Sequence, residues 1–403
     1  MKRSSEAVVI DAIRTPVGKY GGVLKDARPD DMSALLLRTL VARSNLNPSL
    51  VEDVLWGCAN QSGEDNRNVG RMAVLLAEFP FSVPASTTNR LCGSSMDALH
   101  QAARAIWCAE YEILIAGGVE SMTRAPYAIA KNVGGHALYG NLTAYDTALG
   151  WRFPNPKMEN LIPLESMGET AENVAAMYNI PREEQDQFAL RSHQLAVKAQ
   201  DDSRWSDEIV PVPIPQKRGE PVLVEKDEGP RPDTSLEKLA KLPPAFRAGG
   251  SVTAGNSSSL NDGASALLVM NEKKAKELGL KPMAKIVSTG IAGVDPRCMG
   301  IGPVPATETA LKKAGLTMGD IDLVELNEAF ASQSLAVIRE LGVNPDTVNV
   351  NGGAIALGHP LGCSGARIVT SLLHEMKRRG SLRGLATMCI GVGQGIATIF
   401  ERV

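Results

Sequence analysis

The sequence of 403 residues predicts an α/β protein made of two similar βα halves, the first of which carries a loop-rich insertion. Three observations support this class. Short apolar runs alternate with amphipathic helical patterns near both ends of the chain, as in βα units with a mostly parallel sheet. The order strand, turn, helix, strand and glycines occurs twice. Between the two copies, residues 122–249 lack this alternation and contain many loop-forming prolines and glycines.

The first half is predicted to alternate strands and helices. Its helices show apolar residues at the 3.6-residue period, and its last strand is a continuous apolar run closed by Gly117 and Gly118, as expected for a fully buried strand. In chain order, the predicted elements are a strand at 7–10, a helix from about residue 30, a strand at 54–56, a helix at 69–77, a strand at 85–89, a helix at 96–109 and a strand at 113–116.

The insertion is predicted to contain two helices, at 170–178 and 182–201, between loop-like segments at 131–163 and after residue 201. The second loop segment is interrupted by prolines and carries basic side chains, among them Arg231. Long loops inside compact chains are more often binding elements than spacers. Composition alone leaves a solvated surface excursion equally open.

The second half resumes the alternation of strands and helices. We therefore expect one half at 1–121 with 250–275, the inserted subdomain at 122–249 and the other half at 276–403. The predicted elements are strands at 264–270 and 283–289, a helix after residue 305, a strand at 322–326, a helix at 328–341, a strand at 348–350, a helix at 364–379 and strands at 385–390 and 396–401.

Composition and charge exclude several classes of protein. The formal charge of -3 offers no basic surplus for a nucleic-acid partner. No apolar run reaches the roughly 18 residues that a membrane span requires. The six cysteines contain no C-x-x-C pair, which favours reduced thiols and a cytoplasmic location. The five histidines lack ligand-like spacing, so we expect no metal site.

Two residues on turns are candidates for nucleophile and base. Cys92 lies at a strand-to-helix junction among small residues, where the helix dipole and free N–H groups favour a thiolate. The alternative is a small buried hydrophobic residue. His359 is held between glycine and proline, and histidine is the side chain best suited to exchange protons near neutral pH. The alternative is that His359 is a histidine with no functional role in a glycine-rich loop.

Two further residues lie at the ends of predicted strands. Cys389 precedes alternating glycines, which permit close approach of the backbone to a bound group, although a buried strand cysteine is the alternative. Asn327 stands where a strand becomes a helix, and an N-cap is its simpler explanation. If the strand ends form one face, two cysteines, a histidine and an asparagine suit nucleophilic acyl transfer with a second proton transfer.

The chain resembles the thiolases, the acetyl-CoA acyltransferases, over its whole length. Many ordered blocks at family-like spacing make this resemblance specific. The blocks are NRLCGS at 89–94, AGGVESM at 116–122, MGETAEN at 167–173, TAGN at 253–256, NEAF at 327–330, GHPLG at 358–362 and CIG at 389–391.

The resemblance implies a layered α-β-α-β-α fold and CoA-dependent cleavage of a 3-oxoacyl-CoA through an acyl-Cys92 intermediate. His359 would accept the Cys92 proton and later activate CoA, and Cys389 would protonate the departing acetyl-CoA enolate. His359 and a water held by Asn327 would form one oxyanion pocket. The backbone N–H groups of Cys92 and Gly391 would form the other.

The resemblance also implies how CoA is bound. Arg231 would lie near its phosphorylated adenosine, and Phe246, Ser258, Phe330 and Met167 would line the pantetheine and acyl region. Coenzyme A would be a co-substrate, with no bound cofactor and no metal. Members of the family generally assemble as dimers or tetramers through the half that bears the nucleophile, so a homodimer or homotetramer is expected.

Within the family, the blocks at 57–68 and 150–153 look most like those of 3-oxoadipyl-CoA thiolases. That substrate ends in a carboxylate, for which Arg152 is the candidate cation. Ser166 stands where acetoacetyl-CoA thiolases commonly have histidine, which favours a degradative enzyme. The alternatives are an acetoacetyl-CoA thiolase, a 3-oxoacyl synthase and a non-catalytic acyl-CoA carrier.

Three residues depart from the pattern of many thiolases. Ser95 and Ser259 replace common glycines, and Val392 interrupts a run of glycines. None of these departures removes a predicted catalytic group, so they leave the predicted chemistry unchanged.

Overall fold

The computed structural model describes residues 3–131 and 141–403. The glycines at 134 and 135, which contributed to the loop prediction, lie outside these ranges. The described residues form an α/β structure around a large mixed sheet, which confirms the predicted class. Within the described part of the chain, no helix is long and apolar enough to cross a membrane.

Most strands belong to one sheet, whose path runs β12-β13-β14-β11-β1-β10-β5-β3-β4, with β2 paired to β10. Two small hairpins, β6-β7 and β8-β9, lie apart from it. The strands are β1 (Ala7–Arg14), β2 (Gly18–Lys19), β3 (Asp53–Gly57), β4 (Ala85–Thr88), β5 (Ile113–Ser121), β6 (Tyr127–Ile129), β7 (Ala144–Asp146), β8 (Val212–Ile214), β9 (Val222–Val224), β10 (Asn261–Asn271), β11 (Ala284–Gly293), β12 (Leu323–Leu326), β13 (Arg383–Ile390) and β14 (Gln394–Arg402).

The helices pack on both faces of the strands, because the apolar faces of strands and helices must be buried against each other. They are α1 (Pro29–Arg43), α2 (Val69–Leu76), α3 (Ser94–Trp107), α4 (Pro156–Leu161), α5 (Met167–Met177), α6 (Arg182–Asp201), α7 (Leu236–Ala240), α8 (Glu272–Glu277), α9 (Pro303–Ala314), α10 (Ala331–Leu341), α11 (Ala354–Leu357) and α12 (Leu361–Arg379).

The expectation of a mostly parallel sheet is wrong. Among the strands of the described residues, only β3 with β4, β3 with β5, and β12 with β13 pair in parallel. Strands β1, β10, β11 and β14 pair antiparallel with their neighbours. The connection from β13 to β14 is a short turn, and a turn of that length can join only antiparallel strands. The alternation of strands and helices was correct, but it does not fix strand direction at these positions.

The two halves share one strand order. The first half runs β4-β3-β5-β10-β1 and the second runs β12-β13-β14-β11, with the same change from parallel to antiparallel pairing. A single bridge of Val348 to Val324 stands where β4 stands in the first half. The insertion joins β5 to β10, and in the second half the short turn between β13 and β14 takes its place.

The layers follow from where the apolar side chains point. Helices α3 and α12 lie between the strands of the two halves, with Met96, Leu99, Leu372 and Leu373 in their shared core. Helices α1 and α2 cover the outer face of the first half, and α9 and α10 cover that of the second. This is the expected α-β-α-β-α arrangement.

Three local predictions need correction. The strand expected at 348–350 is reduced to one bridge at Val348, because a 3₁₀ turn at Pro345–Thr347 leads into it. Strand β5 continues through its glycines to Ser121, since paired neighbours on both sides satisfy its backbone. Helix α10 begins at Ala331 with Phe330 at its N-cap, so Asn327 is not an N-cap residue.

Candidate active site

Cys92 lies on the turn between β4 and α3, immediately ahead of the helix N-cap at Gly93. Leu91 before it has a left-handed backbone with φ of 47°, a strained conformation for a non-glycine residue. Asn89 Oδ1 accepts the Leu91 N–H at 2.8 Å, and Ser94 Oγ donates to the Leu91 carbonyl at 2.6 Å. These two side chains therefore fix the backbone that presents the thiol.

His359 occupies the equivalent place in the second half, on the turn between α11 and α12. Gly358 has φ of +109°, and a Cβ there would lie 2.3 Å from the Asn261 amide, so the position requires glycine. Asn261 Oδ1 accepts the His359 N–H at 2.9 Å. The imidazole itself is buried, with a relative exposure of 6%. The turn thus points the ring inward.

Asn327 follows β12 and faces the imidazole. Its Nδ2 lies 3.5 Å from both Nδ1 and Nε2 of His359. Among the described residues its Oδ1 has no hydrogen-bond partner although it is buried. Because buried polar atoms are normally hydrogen-bonded, this amide is suited to hold a water or a substrate oxygen beside the ring.

The hairpin of β13 and β14 brings Cys389 and Gly391 to the same place. Cys389 is 1% exposed and packs in a small apolar cluster with Phe330 and Met167. The backbone N–H groups of Gly391 and of Cys92 itself lie near enough to the Cys92 sulfur to favour its thiolate form. These are the two donors predicted for one oxyanion pocket, and both lie beside the Cys92 sulfur.

Burial dominates the acid–base properties of the site. Desolvation raises the pKa of the Cys92 thiol to about 11, although the residue is only partly buried and the N–H groups of Gly391 and Cys92 favour the thiolate. Burial, reinforced by the charge of Arg367, lowers the pKa of His359 to about 3. Burial and the neighbouring Cys92 raise the pKa of Cys389 well above its ordinary value.

The expectation of a lowered Cys92 pKa at the helix N-terminus is therefore wrong, because desolvation outweighs the dipole. At neutral pH the site contains two neutral thiols and a neutral imidazole. A neutral imidazole can accept the thiol proton when the sulfur attacks a carbonyl. The raised pKa of the thiol and the lowered pKa of the imidazole therefore favour general-base activation of Cys92 over a resting thiolate.

Four of the predicted CoA-contacting residues line one wall beside the cysteines. The Phe246 ring packs directly on Gly168, where a Cβ would approach the ring to within 2.1 Å. Phe246 also meets Phe330 edge to face, with ring centroids 6.2 Å apart. Ser258 Oγ donates to the carbonyl of Ala329 at 3.0 Å, and Met167 shares the Cys389 cluster.

Two basic candidates lie outside this cluster. Arg231 is exposed on the insertion, where its backbone N–H donates to His193 Nδ1 at 3.2 Å. Arg152 is half-buried. Its guanidinium donates to the Thr147 carbonyl at 3.0 Å and to Asn60 Oδ1 at 3.4 Å. Neither guanidinium pairs with a carboxylate among the described residues, so both are suited to meet an external anion.

The turn that carries His359, the predicted catalytic turn, is held by several residues that were not assigned a role from the sequence. Glu120 accepts the Gly362 N–H at 2.7 Å, Asn261 accepts the His359 N–H, and Ser364 Oγ lies 2.6 Å from His359 Nδ1. Ser95 Oγ accepts the Ala366 N–H at 2.8 Å. A glutamate within an otherwise apolar strand was the one available sequence signal, and it pointed to Glu120.

One cluster has ligand-like atoms, formed by Cys58, Asp65 and Glu120. Its carboxylates already accept backbone N–H groups. Those of Ala59 and Gly362 donate to Glu120, and those of residues 61 and 63 donate to Asp65. With these acceptors engaged, the cluster is a hydrogen-bond centre that joins two turns.

Comparison with known families assigns the chain. The family model described as the N-terminal domain of thiolase matches residues 7–273, and that described as the C-terminal domain matches residues 280–402. The chain belongs to the thiolase family. The predicted membership is confirmed, and these two matches account for nearly the whole chain.

Similar proteins cover the same length. A 3-oxoadipyl-CoA/3-oxo-5,6-dehydrosuberyl-CoA thiolase of Escherichia coli is 54% identical over 99% of this chain and 100% of its own. A beta-ketoadipyl-CoA thiolase of Acinetobacter baylyi is 52% identical over 98% of this chain and 99% of its own. This thiolase therefore has relatives of the same extent.

Two solved structures confirm the thiolase fold. The Bacillus anthracis acetyl-CoA acetyltransferase superposes with a TM-score of 0.93 at 45% identity and covers 100% of both chains. The human mitochondrial 3-ketoacyl-CoA thiolase also superposes with a TM-score of 0.93, at 41% identity and 99% coverage of both chains.

The chain is therefore an acyltransferase of the thiolase type, which cleaves 3-oxoacyl-CoA with CoA as co-substrate. The interpretation as a non-catalytic carrier is wrong, since the family relatives are enzymes. A 3-oxoacyl synthase is also disfavoured, because Asn327 and Cys389 face the site where synthases typically place a second histidine.

Proposed function

We propose that this thiolase cleaves 3-oxoadipyl-CoA with CoA, giving acetyl-CoA and succinyl-CoA. Full-length identity of 54% and 52% to relatives named for 3-oxoadipyl-CoA or beta-ketoadipyl-CoA carries the proposal. The blocks at 57–68 and 150–153 support it, because they lie against each other through Arg152 and Asn60. An acetoacetyl-CoA thiolase is the second candidate, favoured by the similarity to the Bacillus anthracis enzyme.

The reaction starts with the neutral Cys92–His359 pair. His359 accepts the Cys92 proton while the sulfur attacks C3 of the substrate. The C2–C3 bond then breaks, and its electron pair stays on C2 as the acetyl-CoA enolate. Cys389 gives its proton to C2, which releases acetyl-CoA and leaves the acyl group as a thioester on Cys92.

The second half of the reaction restores the enzyme. The proton on His359 passes to the Cys389 thiolate, so His359 is neutral again. It then removes the proton of the CoA thiol, whose sulfur attacks the thioester carbonyl. The departing Cys92 sulfur recovers that proton from His359. One acyl-CoA leaves, and no proton is gained or lost overall.

Two oxyanions form during this reaction, and each needs its own donors. The N–H groups of Cys92 and Gly391 converge on the sulfur, beside which the oxygen of an acyl-Cys92 would lie. The enolate oxygen would contact His359 and a water held by Asn327, whose amide oxygen has no hydrogen-bond partner in the described part of the chain. One such donor is typically worth about 3 to 4 kcal/mol of barrier.

The division of labour between the cysteines is testable with Cys389→Ala. This variant should still be acylated at Cys92 by a simple acyl-CoA, because thioester exchange breaks no carbon–carbon bond. Thiolysis of a 3-oxoacyl-CoA should fall at least about a hundredfold, since C2 loses its acid. Mass spectrometry of the acyl-enzyme and thiolysis rates measure the two steps. Cys108→Ala, at an exposed thiol, is the control. Near-normal thiolysis by Cys389→Ala would refute the assignment.

CoA is proposed to lie along the wall formed by Phe246, Phe330, Met167 and Ser258. The edge-to-face ring pair and the adjoining Met167 provide an apolar surface for the pantetheine. Arg231, exposed and without a carboxylate partner among the described residues, is proposed to meet the adenosine phosphate.

Arg152 is proposed to recognise the terminal carboxylate of the substrate. Its present partners are neutral oxygens of Thr147, Asn60 and Ser62, so the guanidinium retains its charge for an anion. Asn60 in turn donates its backbone N–H to Glu120, which also binds the turn after His359. This chain of contacts connects Arg152 to the catalytic turn.

The substrate proposal is tested by thiolysis of 3-oxoadipyl-CoA, acetoacetyl-CoA and a long-chain 3-oxoacyl-CoA, with Cys92→Ala as the inactive control. We expect the native enzyme to cleave 3-oxoadipyl-CoA faster than the other two substrates. In Arg152→Gln the ratio of the 3-oxoadipyl-CoA rate to the acetoacetyl-CoA rate should fall by about tenfold or more, because a charged hydrogen bond is lost. Arg383→Gln, at a pair with Glu401, should leave the ratio unchanged. An unchanged ratio of rates in Arg152→Gln would show that Arg152 does not recognise the substrate carboxylate. If the native enzyme cleaved all three substrates at similar rates, or acetoacetyl-CoA fastest, 3-oxoadipyl-CoA would be rejected as its preferred substrate.

A homo-oligomer and a cytoplasmic location are also proposed. Strand β4 ends the sheet path, and one of its edges pairs with no other strand among the described residues, which offers a surface for a second copy. Both catalytic cysteines must remain thiols, as all six cysteines are here, which favours a reducing compartment. Light scattering of the purified protein distinguishes monomer, dimer and tetramer.

A further inference from the structure

A buried hydroxyl lies directly behind the catalytic imidazole. Ser364, in the first turn of α12, places its Oγ 2.6 Å from His359 Nδ1. The same Oγ donates to the Pro360 carbonyl at 2.8 Å. Ser364 has no exposed surface, so solvent cannot replace either contact.

These two contacts together favour one position for the imidazole proton. A hydroxyl has one proton to donate. With that proton directed to the Pro360 carbonyl, Ser364 Oγ can only accept from the ring, which requires a proton on Nδ1. The Asn327 amide does not oppose this, because its Nδ2 is equally far, 3.5 Å, from both ring nitrogens.

We propose that Ser364 is a positioning residue that holds His359 as the Nδ1–H tautomer, so that Nε2 carries the lone pair that accepts the Cys92 proton. This inference rests on the proposed role of His359 as the base. When Nε2 takes the proton from the Cys92 sulfur, the imidazolium keeps its Nδ1–H bond to Ser364. When Nε2 returns the proton, the same tautomer is restored.

If Ser364 only stabilised helix α12, its hydrogen bond to the Pro360 carbonyl would be enough and its contact with the imidazole would not matter. Thr370, on the same helix, also donates from its hydroxyl to the carbonyl four residues earlier, at 2.9 Å from Ala366 O. Its other partner is the Ser265 hydroxyl, not a titratable ring. Thr370→Val therefore removes a comparable helix contact and serves as the matched control.

The test compares Ser364→Ala, Ser364→Thr and Thr370→Val in the full-length enzyme. Loss of one hydrogen bond that selects the tautomer should lower kcat by about three- to tenfold in Ser364→Ala with little change in KM. Ser364→Thr keeps the hydroxyl and should restore most of kcat. Thr370→Val should match the native kcat.

Nitrogen-15 NMR of histidine-labelled enzyme reads the tautomer directly, with the His359 signals identified by their loss in His359→Asn. We expect the Nδ1–H form in the native enzyme and a shift towards Nε2–H in Ser364→Ala. A native Nε2–H form, or an Ser364→Ala enzyme with unchanged tautomer and kcat, would overturn the proposal. A native enzyme inactive on every 3-oxoacyl-CoA would instead reject the proposed function, whatever the tautomer.

Discussion

At the scale of the residue, Cys92 and His359 are neutral at rest because burial disfavours the charged form of each. In the proposed mechanism, the thiol becomes a nucleophile only as its proton moves to the imidazole of His359. This arrangement withholds the reactive thiolate until a substrate is bound. Cys389, more deeply buried, is likewise held as a thiol, the form required to protonate an enolate.

The raised thiol pKa predicts how alkylation of Cys92 depends on pH. Below its pKa of about 11 the free thiolate fraction rises about tenfold per pH unit, so His359→Ala should be alkylated by iodoacetamide at a rate with that slope. The native enzyme, whose imidazole assists proton removal, should react faster at pH 7. The difference in alkylation rate between the native enzyme and His359→Ala should narrow as the pH approaches 11.

Stopped alkylation reactions analysed by mass spectrometry measure these rates at Cys92. Cys92→Ala defines the background from the other cysteines. Equal rates for the native enzyme and His359→Ala at pH 7 would show that the imidazole does not assist the thiol.

At the scale of the element, the hairpin of β13 and β14 positions Cys389 and Gly391 through a strained turn. Val392 and Gly393, in the three-residue loop between Ile390 and Gln394, both have positive φ, 62° and 78°. Glycine is readily accommodated there, whereas a β-branched residue is not. Val392 is 37% exposed, so packing compensates for little of the strain.

Val392→Gly should therefore stabilise the protein. The substitution removes the strain of a β-branched residue with positive φ, but glycine also has greater entropy in the unfolded chain. The net effect should raise the free energy of unfolding by about 0.5 to 1 kcal/mol. Chemical denaturation measures this change. Gly393→Ala is the opposite control and should destabilise, because its Cβ would lie 2.3 Å from the Val294 carbonyl. A less stable Val392→Gly would contradict the strain argument.

At the scale of the whole molecule, side chains of the first half hold the catalytic turn of the second. Glu120 binds the Gly362 N–H, Asn261 binds the His359 N–H and Ser95 binds the Ala366 N–H. The position of His359 relative to Cys92 therefore depends on the docking of the halves. We propose that 1–121 with 250–275 and 276–403 act as these halves, and that 122–249 binds CoA.

Glu120→Ala should uncouple the two halves. It would leave three buried or half-buried backbone N–H groups, those of Ala59, Asn60 and Gly362, without their acceptor. At about 1 kcal/mol or more for each, the free energy of unfolding should fall by about 3 kcal/mol. Denaturation curves measure the stability and thiolysis measures the site. Exposed Glu110→Ala is the control, and a normal stability for Glu120→Ala would refute this role.

The local sequence was sufficient for the βα alternation, the repeated halves and the motifs of the family. Turn residues and the apolar periods act over short distances along the chain, so their effect can be predicted without coordinates. The same holds for the identity of Cys92, His359, Cys389 and Asn327 as candidates, because each stands on a turn that its neighbours define.

Only the tertiary structure decided the strand directions, the protonation states and the partners of the catalytic turn. Burial depends on contacts between residues far apart in the chain, and it reversed the expected direction of the Cys92 pKa shift. Asn261 and His359, 98 positions apart, meet only after the two halves dock. Local patterns select the reactive side chains, whereas desolvation and long-range hydrogen bonds determine how those side chains react.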